Sequence, residues 1–270
     1  MGAWSLVIFS VCLQAAIGLF IWAIVIKSRK PDLSHRGPAF WATILSGVAM
    51  LASLGHLGVP LKAVNSITQI GSSWLSREII FAASFFVIAL VSYVLERVNP
   101  MMTKGFYWIG GVVGLAGVFS MSKIYMNTVI PAWATWYTMV DFFATALILG
   151  GILFLVLVKA DRELAAEVSI SVLTFALIYA ALTPLYLAAL GAGGGAASAS
   201  AALMAGEMQV LLLAKWLLIL GGVLLTVVPL RKEGRPRAYM TASLVTLSVG
   251  ALVGRYLFYA AGVAKAIGLI

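Results

Sequence analysis

The sequence predicts an all-α membrane protein: a bundle of eight transmembrane helices with both termini outside, on the periplasmic side. Three observations carry this. Of 270 residues, 63% are apolar and only 10% are charged. Apolar runs long enough to cross a bilayer recur along the whole chain, and lysine and arginine concentrate in every second connection. A soluble domain carries about 25% charged residues, so a domain with a polar shell is excluded and residues 1–270 form a single membrane domain. The formal charge of +9 would suggest nucleic acid in a soluble protein. In a membrane protein it belongs to the loops of one side, so no nucleic-acid partner is expected. The single cysteine, Cys12, lies in an apolar run. It excludes a disulfide framework and a cysteine-ligated cluster within this chain.

The first run, Trp4 to Ile26, is followed rather than preceded by the basic residues KSRK. A secretory signal has the opposite order and a shorter apolar core, so this run is the first span. The spans are expected at 4–26, 39–57, 78–95, 106–126, 136–158, 168–190, 208–229 and 239–262. Pro, Gly and charge break them at KSRKPDLSHRGP, ERVNPMMTKG, IPAWAT, KADRELAAE and RKEGRPRA. Backbone in lipid must satisfy its own hydrogen bonds, so the runs are helices. The connections after spans 1, 3, 5 and 7 hold twelve basic residues: Lys27, Arg29, Lys30, Arg36, Arg97, Lys104, Lys159, Arg162, Arg231, Lys232, Arg235 and Arg237. The other side holds four, Lys62, Arg77, Lys123 and Lys265. The excess marks the cytoplasmic side. The small, uncharged stretch 191–205 is expected to be a flexible outer loop.

On this topology the ionisable groups near the membrane core gather in its outer half. His56 ends span 2, and Arg77 with Glu78 opens span 3 from the same side. Lys123 lies in the outer last turn of span 4, and Asp141 one to two turns inside span 5. Lys215 is eight residues below Glu207, about 12 Å of helix. Arg255 is a similar depth inside span 8. The inner half is expected to hold none. Intramembrane charges are costly and mark a cavity or a partner. For Asp141, Lys215 and Arg255 a structural ion-pair network and a ligand site are both open readings. Glu78 also has a plain account, since a carboxylate in a first helical turn is favoured by the dipole. Trp133 and Trp136 fit an interfacial aromatic belt.

His56 opens HLGVPLKAVNSITQIGSSWLSREI (56–79), in which Gly58 and Pro60 end span 2. The residues before Glu78 are too polar to span and should lie along the outer surface. This block closely resembles the membrane-anchor subunit of the bacterial dimethyl sulfoxide reductase family, and YMNTVIPAWATWYT (125–138) is similar to that family's Y-x-x-T-x-x-P-x-W segment. The resemblance implies a multi-pass protein of the bacterial inner membrane. Its periplasmic face would dock an iron–sulfur subunit with four 4Fe–4S clusters, which carries a molybdenum bis-pterin catalytic subunit. The 59–77 segment, the IPAWAT loop and the C-terminus would form that docking face. The resemblance further implies that menaquinol binds at His56 and Glu78, with Arg77 beside them. Lys215, Arg255 and Asp141 are added to the quinol-site candidates on their intramembrane position alone.

The residue types suit the chemistry. Quinol oxidation releases two electrons and two protons; a neutral imidazole and a carboxylate can accept the protons near neutral pH. Electrons must leave through a partner, because no haem and no iron–sulfur cluster is expected in this chain. Its two histidines, His35 and His56, fall on opposite sides, and it has no CxxC. Two rivals remain. A proton-translocating anchor of the polysulfide-reductase type needs a polar path through the inner half. A secondary transporter predicts broken helices at the midplane, for which glycine pairs 110–111, 150–151 and 221–222 are compatible but more often packing contacts.

Overall fold

The computed structural model of the chain describes residues 2–31, 33–55, 69–99, 102–228 and 237–265. Among the described residues the elements are α1 (Gly2–Arg29), α2 (Arg36–Leu54), α3 (Trp74–Val98), α4 (Thr103–Met126), α5 (Trp136–Leu157), α6 (Arg162–Ala192), α7 (Gly195–Ala205), α8 (Gln209–Val227) and α9 (Arg237–Ala260). All but α7 are long and apolar enough to span a membrane, which makes eight spans. The protein is a multi-pass helical bundle.

Many hydroxyl side chains within the spans bond back to their own helices, as Thr43 does to the Ala39 carbonyl (2.9 Å) and Ser92 to that of Ile88 (2.7 Å). An apolar phase offers no water to satisfy them. Polar side chains cap two of the starts. The Asp161 carboxylate accepts from Leu164 N–H at 2.8 Å and opens α6. The Ser73 hydroxyl accepts from Ser76 N–H at 3.3 Å and opens α3. That cap starts α3 four residues before the expected 78, so Glu78 sits beyond the first turn. The dipole account of Glu78 therefore does not apply.

The expected loop at 191–205 is instead largely helix. Gly194 and Gly195 adopt φ of 65° and 51°, a turn that side chains disfavour. The Ala-rich run after them has high helix propensity and packs as α7, burying Ala197, Ser200, Ala201 and Met204. Small uncharged composition alone does not separate such a helix from a linker.

The central element is α1, with 83% of its apolar window buried, against 28% for α3 and α8. It touches α2, α3 and α4 on one flank and α5 and α9 on the other. The remaining spans present their outer faces to lipid. Where α1 crosses α5 the backbones meet: a Cβ on Gly18 would fall 1.7 Å from the Ala146 carbonyl oxygen, and one on Gly150 would fall 2.1 Å from the Gly18 carbonyl carbon. Beside this crossing Trp22 Nε1 donates to the Leu147 carbonyl at 2.9 Å.

Trp4, near the start of α1, stacks on Tyr256 near the end of α9, with centroids 5.3 Å apart. The start of α1 and the end of α9 therefore lie on one face, here called the terminal face. At the opposite end the expectation of no ionisable group within the bundle is corrected. Lys27 and Glu96 form a buried ion pair of 2.5 Å, and the Thr103 hydroxyl donates to the same carboxylate at 2.9 Å. Helices α1 and α3 each run several residues past the expected spans, which draws these two groups into contact. His35 is buried beside them. Its Nδ1 lies 2.6 Å from the Leu33 carbonyl, an acceptor, so Nδ1 carries the hydrogen. Burial holds this imidazole below its usual pKa, with the Lys27 charge acting in the same direction.

Candidate functional site

Helices α1, α2, α3 and α4 enclose a cavity of about 560 Å³ near the terminal face. Its wall is built from Leu6 and Phe9 of α1, Met50 and Leu54 of α2, and Ile79 and Phe86 of α3, with further apolar residues. Three lining side chains among the described residues are polar: Ser53, Glu78 and Tyr125. The Ser53 hydroxyl donates to the Met50 carbonyl at 2.9 Å and is committed to its own helix. Glu78 is 6% exposed. Among the described residues no cation lies within 4.0 Å of its carboxylate and no hydrogen bond reaches it. A buried carboxyl without a partner is costly, and such a group facing an apolar cavity is the mark of a site rather than of scaffold. The volume falls in the range of about 300–1,000 Å³ typical of small-molecule sites.

Tyr125, in the last turn of α4, carries the polar wall onward. Its hydroxyl is 2.8 Å from that of Tyr259, in the last turn of α9. Both rings sit in an aromatic cluster with Trp133, Phe142 and Phe258. Trp133 Nε1 donates to the Phe258 carbonyl at 2.7 Å and its ring stacks on Phe258. Trp133 is thus a packing residue and not part of an interfacial belt; Trp136, 51% exposed, keeps the belt position. The Thr128 hydroxyl donates to the Tyr125 carbonyl at 2.8 Å and closes the turn that follows α4.

A second polar cluster joins α1, α5, α6, α8 and α9. Asp141 pairs with Arg255 at 3.1 Å and with Lys215 at 3.7 Å. The Tyr179 hydroxyl donates to the Asp141 carboxylate, and Lys215 Nζ donates to the Tyr179 hydroxyl at 2.6 Å. Arg255 reaches across to Gln14 Oε1 at 2.8 Å, and Gln14 Nε2 contacts Met121 Sδ at 3.2 Å. The guanidinium also lies 3.8 Å over the Phe142 ring. One acid, two bases and their neutral partners meet across five helices, with Asp141 Oδ2 and Arg255 Nε and Nη1 buried without a hydrogen-bond partner among the described residues.

The sequence-derived candidates therefore divide. Glu78 lines the cavity. His56 lies outside the described residues, as do 57–68 of the segment expected along the outer surface. Arg77 does not line the cavity. Its guanidinium donates to the carbonyls of Ile70 (2.9 Å) and Gly71 (2.7 Å) and lies 4.2 Å over the Trp74 ring, fastening the 69–73 turn to α3. Asp141, Lys215 and Arg255 meet one another in the second cluster, away from the cavity lining. Sequence reasoning missed Tyr125, Tyr259 and Gln14, since tyrosine and glutamine carry no formal charge to single them out. The one available signal was that Tyr125 opens the Y-x-x-T-x-x-P-x-W block.

Residues 1–261 match the family described as DMSO reductase anchor subunit (DmsC). Among curated proteins, the sequence is 28% identical over 266 residues to YnfH, an anaerobic dimethyl sulfoxide reductase chain of Escherichia coli (strain K12), covering 95% of this protein and 93% of that one. It is 26% identical over 273 residues to a second anaerobic dimethyl sulfoxide reductase chain of the same organism, with coverages of 95% and 93%. A relative from Haemophilus influenzae, also named as an anaerobic dimethyl sulfoxide reductase chain, is 31% identical over 154 residues, covering 54% of this protein and 55% of the relative.

Proposed function

Because the chain belongs to the dimethyl sulfoxide reductase anchor-subunit family, we propose that it oxidises a quinol, menaquinol in its native membrane, in the cavity that Glu78 lines. Electrons then pass to an iron–sulfur partner on the terminal face, and from there to a molybdenum subunit. The observation that carries this reading is the buried Glu78 carboxylate, without a partner among the described residues, in an apolar cavity of about 560 Å³. The apolar wall suits a quinol ring and the start of its isoprenoid tail, and a carboxylate can take a hydroxyl proton as the electrons leave. His56, directly after Gly55 at the end of α2, is the proposed second partner of the quinol. Two electrons go to one-electron iron–sulfur acceptors and two protons to the terminal face. On this reading that face is periplasmic, the membrane is the bacterial inner membrane, and the cycle moves no net charge.

The sequence between the two ends of the bundle favours this over a proton-translocating anchor. No titratable side chain occurs on α1 between Gln14 and Lys27, or on α5 after Asp141. The Lys27–Glu96 pair thus stands apart from the polar cluster, across an apolar layer built on the α1–α5 crossing.

The test uses the assembled complex. Glu78→Gln keeps size and hydrogen bonding but removes the proton acceptor. It should lower quinol-driven turnover by about 100-fold, while a soluble dye that reduces the iron–sulfur centres directly still supports full substrate reduction. His56→Ala should behave in the same way. Wild-type quinol oxidation by both variants would falsify the assignment.

A further inference from the structure

A carboxylate that takes a proton in an apolar cavity must lose it before it can act again, and among the described residues the cavity wall offers one polar way out. Besides Glu78, the polar lining side chains are Ser53, whose hydroxyl donates to its own helix, and Tyr125. The Tyr125 hydroxyl meets that of Tyr259 at 2.8 Å, and Tyr259 is half-buried in the last turn of α9, at the terminal face. Packed aromatic residues hold this contact. Trp133 is pinned to the Phe258 carbonyl and packs edge-on against Tyr125, with centroids 5.5 Å apart. Phe142 and Phe258 close the far side of the Tyr125 ring.

We propose that Tyr125 and Tyr259 form the proton exit of the site, an inference that rests on the quinol reading above. The step is a hand-over along hydroxyls. The Glu78 O–H bond breaks as its proton passes, through a water held between them in the cavity, into a new O–H bond on Tyr125, both side chains lining that cavity. The former Tyr125 proton moves to Tyr259, and the former Tyr259 proton passes to water at the terminal face. Each tyrosine ends with the proton count it began with, Glu78 returns to its carboxylate, and no electron is transferred in this step. Tyr125 faces the cavity and can also touch the quinol; Tyr259 acts only through Tyr125.

The experiment compares Tyr259→Phe and Tyr125→Phe with wild type in the intact complex. Both keep the aromatic packing and delete one hydroxyl. Turnover is scaled to the dye-driven rate of the same preparation, so a lower yield of assembled complex does not enter the comparison. Tyr259→Phe should lower quinol-driven kcat by about tenfold or more, with KM and binding of a quinol analogue unchanged. The solvent deuterium isotope effect on kcat should rise, and a small membrane-permeant weak acid should restore part of the rate. A packing role would produce neither the raised isotope effect nor the rescue. If Tyr259→Phe fails to assemble, Tyr125→Phe carries the same test through its isotope effect and rescue. Unchanged kcat and isotope effect in the tyrosine variants, with Glu78→Gln impaired, overturn the exit and leave the site standing. Wild-type behaviour of Glu78→Gln overturns the site itself.

Discussion

Asp141→Leu should destabilise the bundle by about 3–5 kcal/mol, the cost of breaking a buried ion pair and leaving charge uncompensated. Asp141 is the acid that Arg255 and Lys215 share, and Tyr179 also donates to it. Its loss strands two cations and a hydroxyl among five helices. Lys215→Met should cost distinctly less, because the shorter Arg255–Asp141 contact of 3.1 Å and the Arg255–Gln14 hydrogen bond both survive. Thermal unfolding of the purified protein in detergent, or the yield of assembled complex, reads this order. Equal stability of Asp141→Leu and wild type, or a larger loss in Lys215→Met, would remove the network from the scaffold and return these residues to the list of site candidates.

The α1–α5 crossing should be comparably intolerant. A methyl group on Gly150 would lie 2.1 Å from the backbone of Gly18, and backbone, unlike the end of a flexible side chain, cannot swing aside. Gly150→Ala must push apart the most buried helix and its partner, stretch the Trp22–Leu147 hydrogen bond, and open voids around both. A loss of about 3 kcal/mol or more is expected, at the upper end of overpacking penalties. Gly221 supplies the control, since a Cβ there meets nothing within 4 Å; Gly221→Ala should leave the unfolding temperature unchanged or raise it slightly. A Gly150→Ala protein that unfolds with wild type would show that the helices do not meet as described.

The proposed quinol site and the stability of the bundle thus rest on different residues, and the two sets are legible in the sequence to different degrees. Glu78 was visible as an intramembrane carboxylate within a block shared with a known family. Its isolation was not: whether a buried carboxyl has a cation beside it depends on which helices flank it. Asp141, Lys215 and Arg255 were visible for the same reason, yet the sequence left open whether they bind a ligand or each other. The distances of 3.1 and 3.7 Å favour each other. Glu96 and Lys27 were assigned to loops because hydropathy falls at the ends of spans, while the helices themselves continue and pair the two charges in a buried position.

By itself the sequence determined the class of the protein and the count and order of its spans. These follow from hydropathy summed over about 20 consecutive residues, a local quantity that lipid enforces because backbone polar groups there have no water to bond. The same locality explains its errors. Composition points to a flexible outer loop at 191–205, although Gly194 turns the backbone and the alanines then form a helix. It is the packed fold alone that makes α1 the hub, leaves Glu78 in a cavity without a partner among the described residues, and brings Tyr125 to Tyr259. Those two tyrosines are 134 residues apart. Contacts at such separations depend on how eight apolar cylinders pack, and the glycines that permit close approach look the same in sequence whether a neighbour's backbone or open lipid lies opposite.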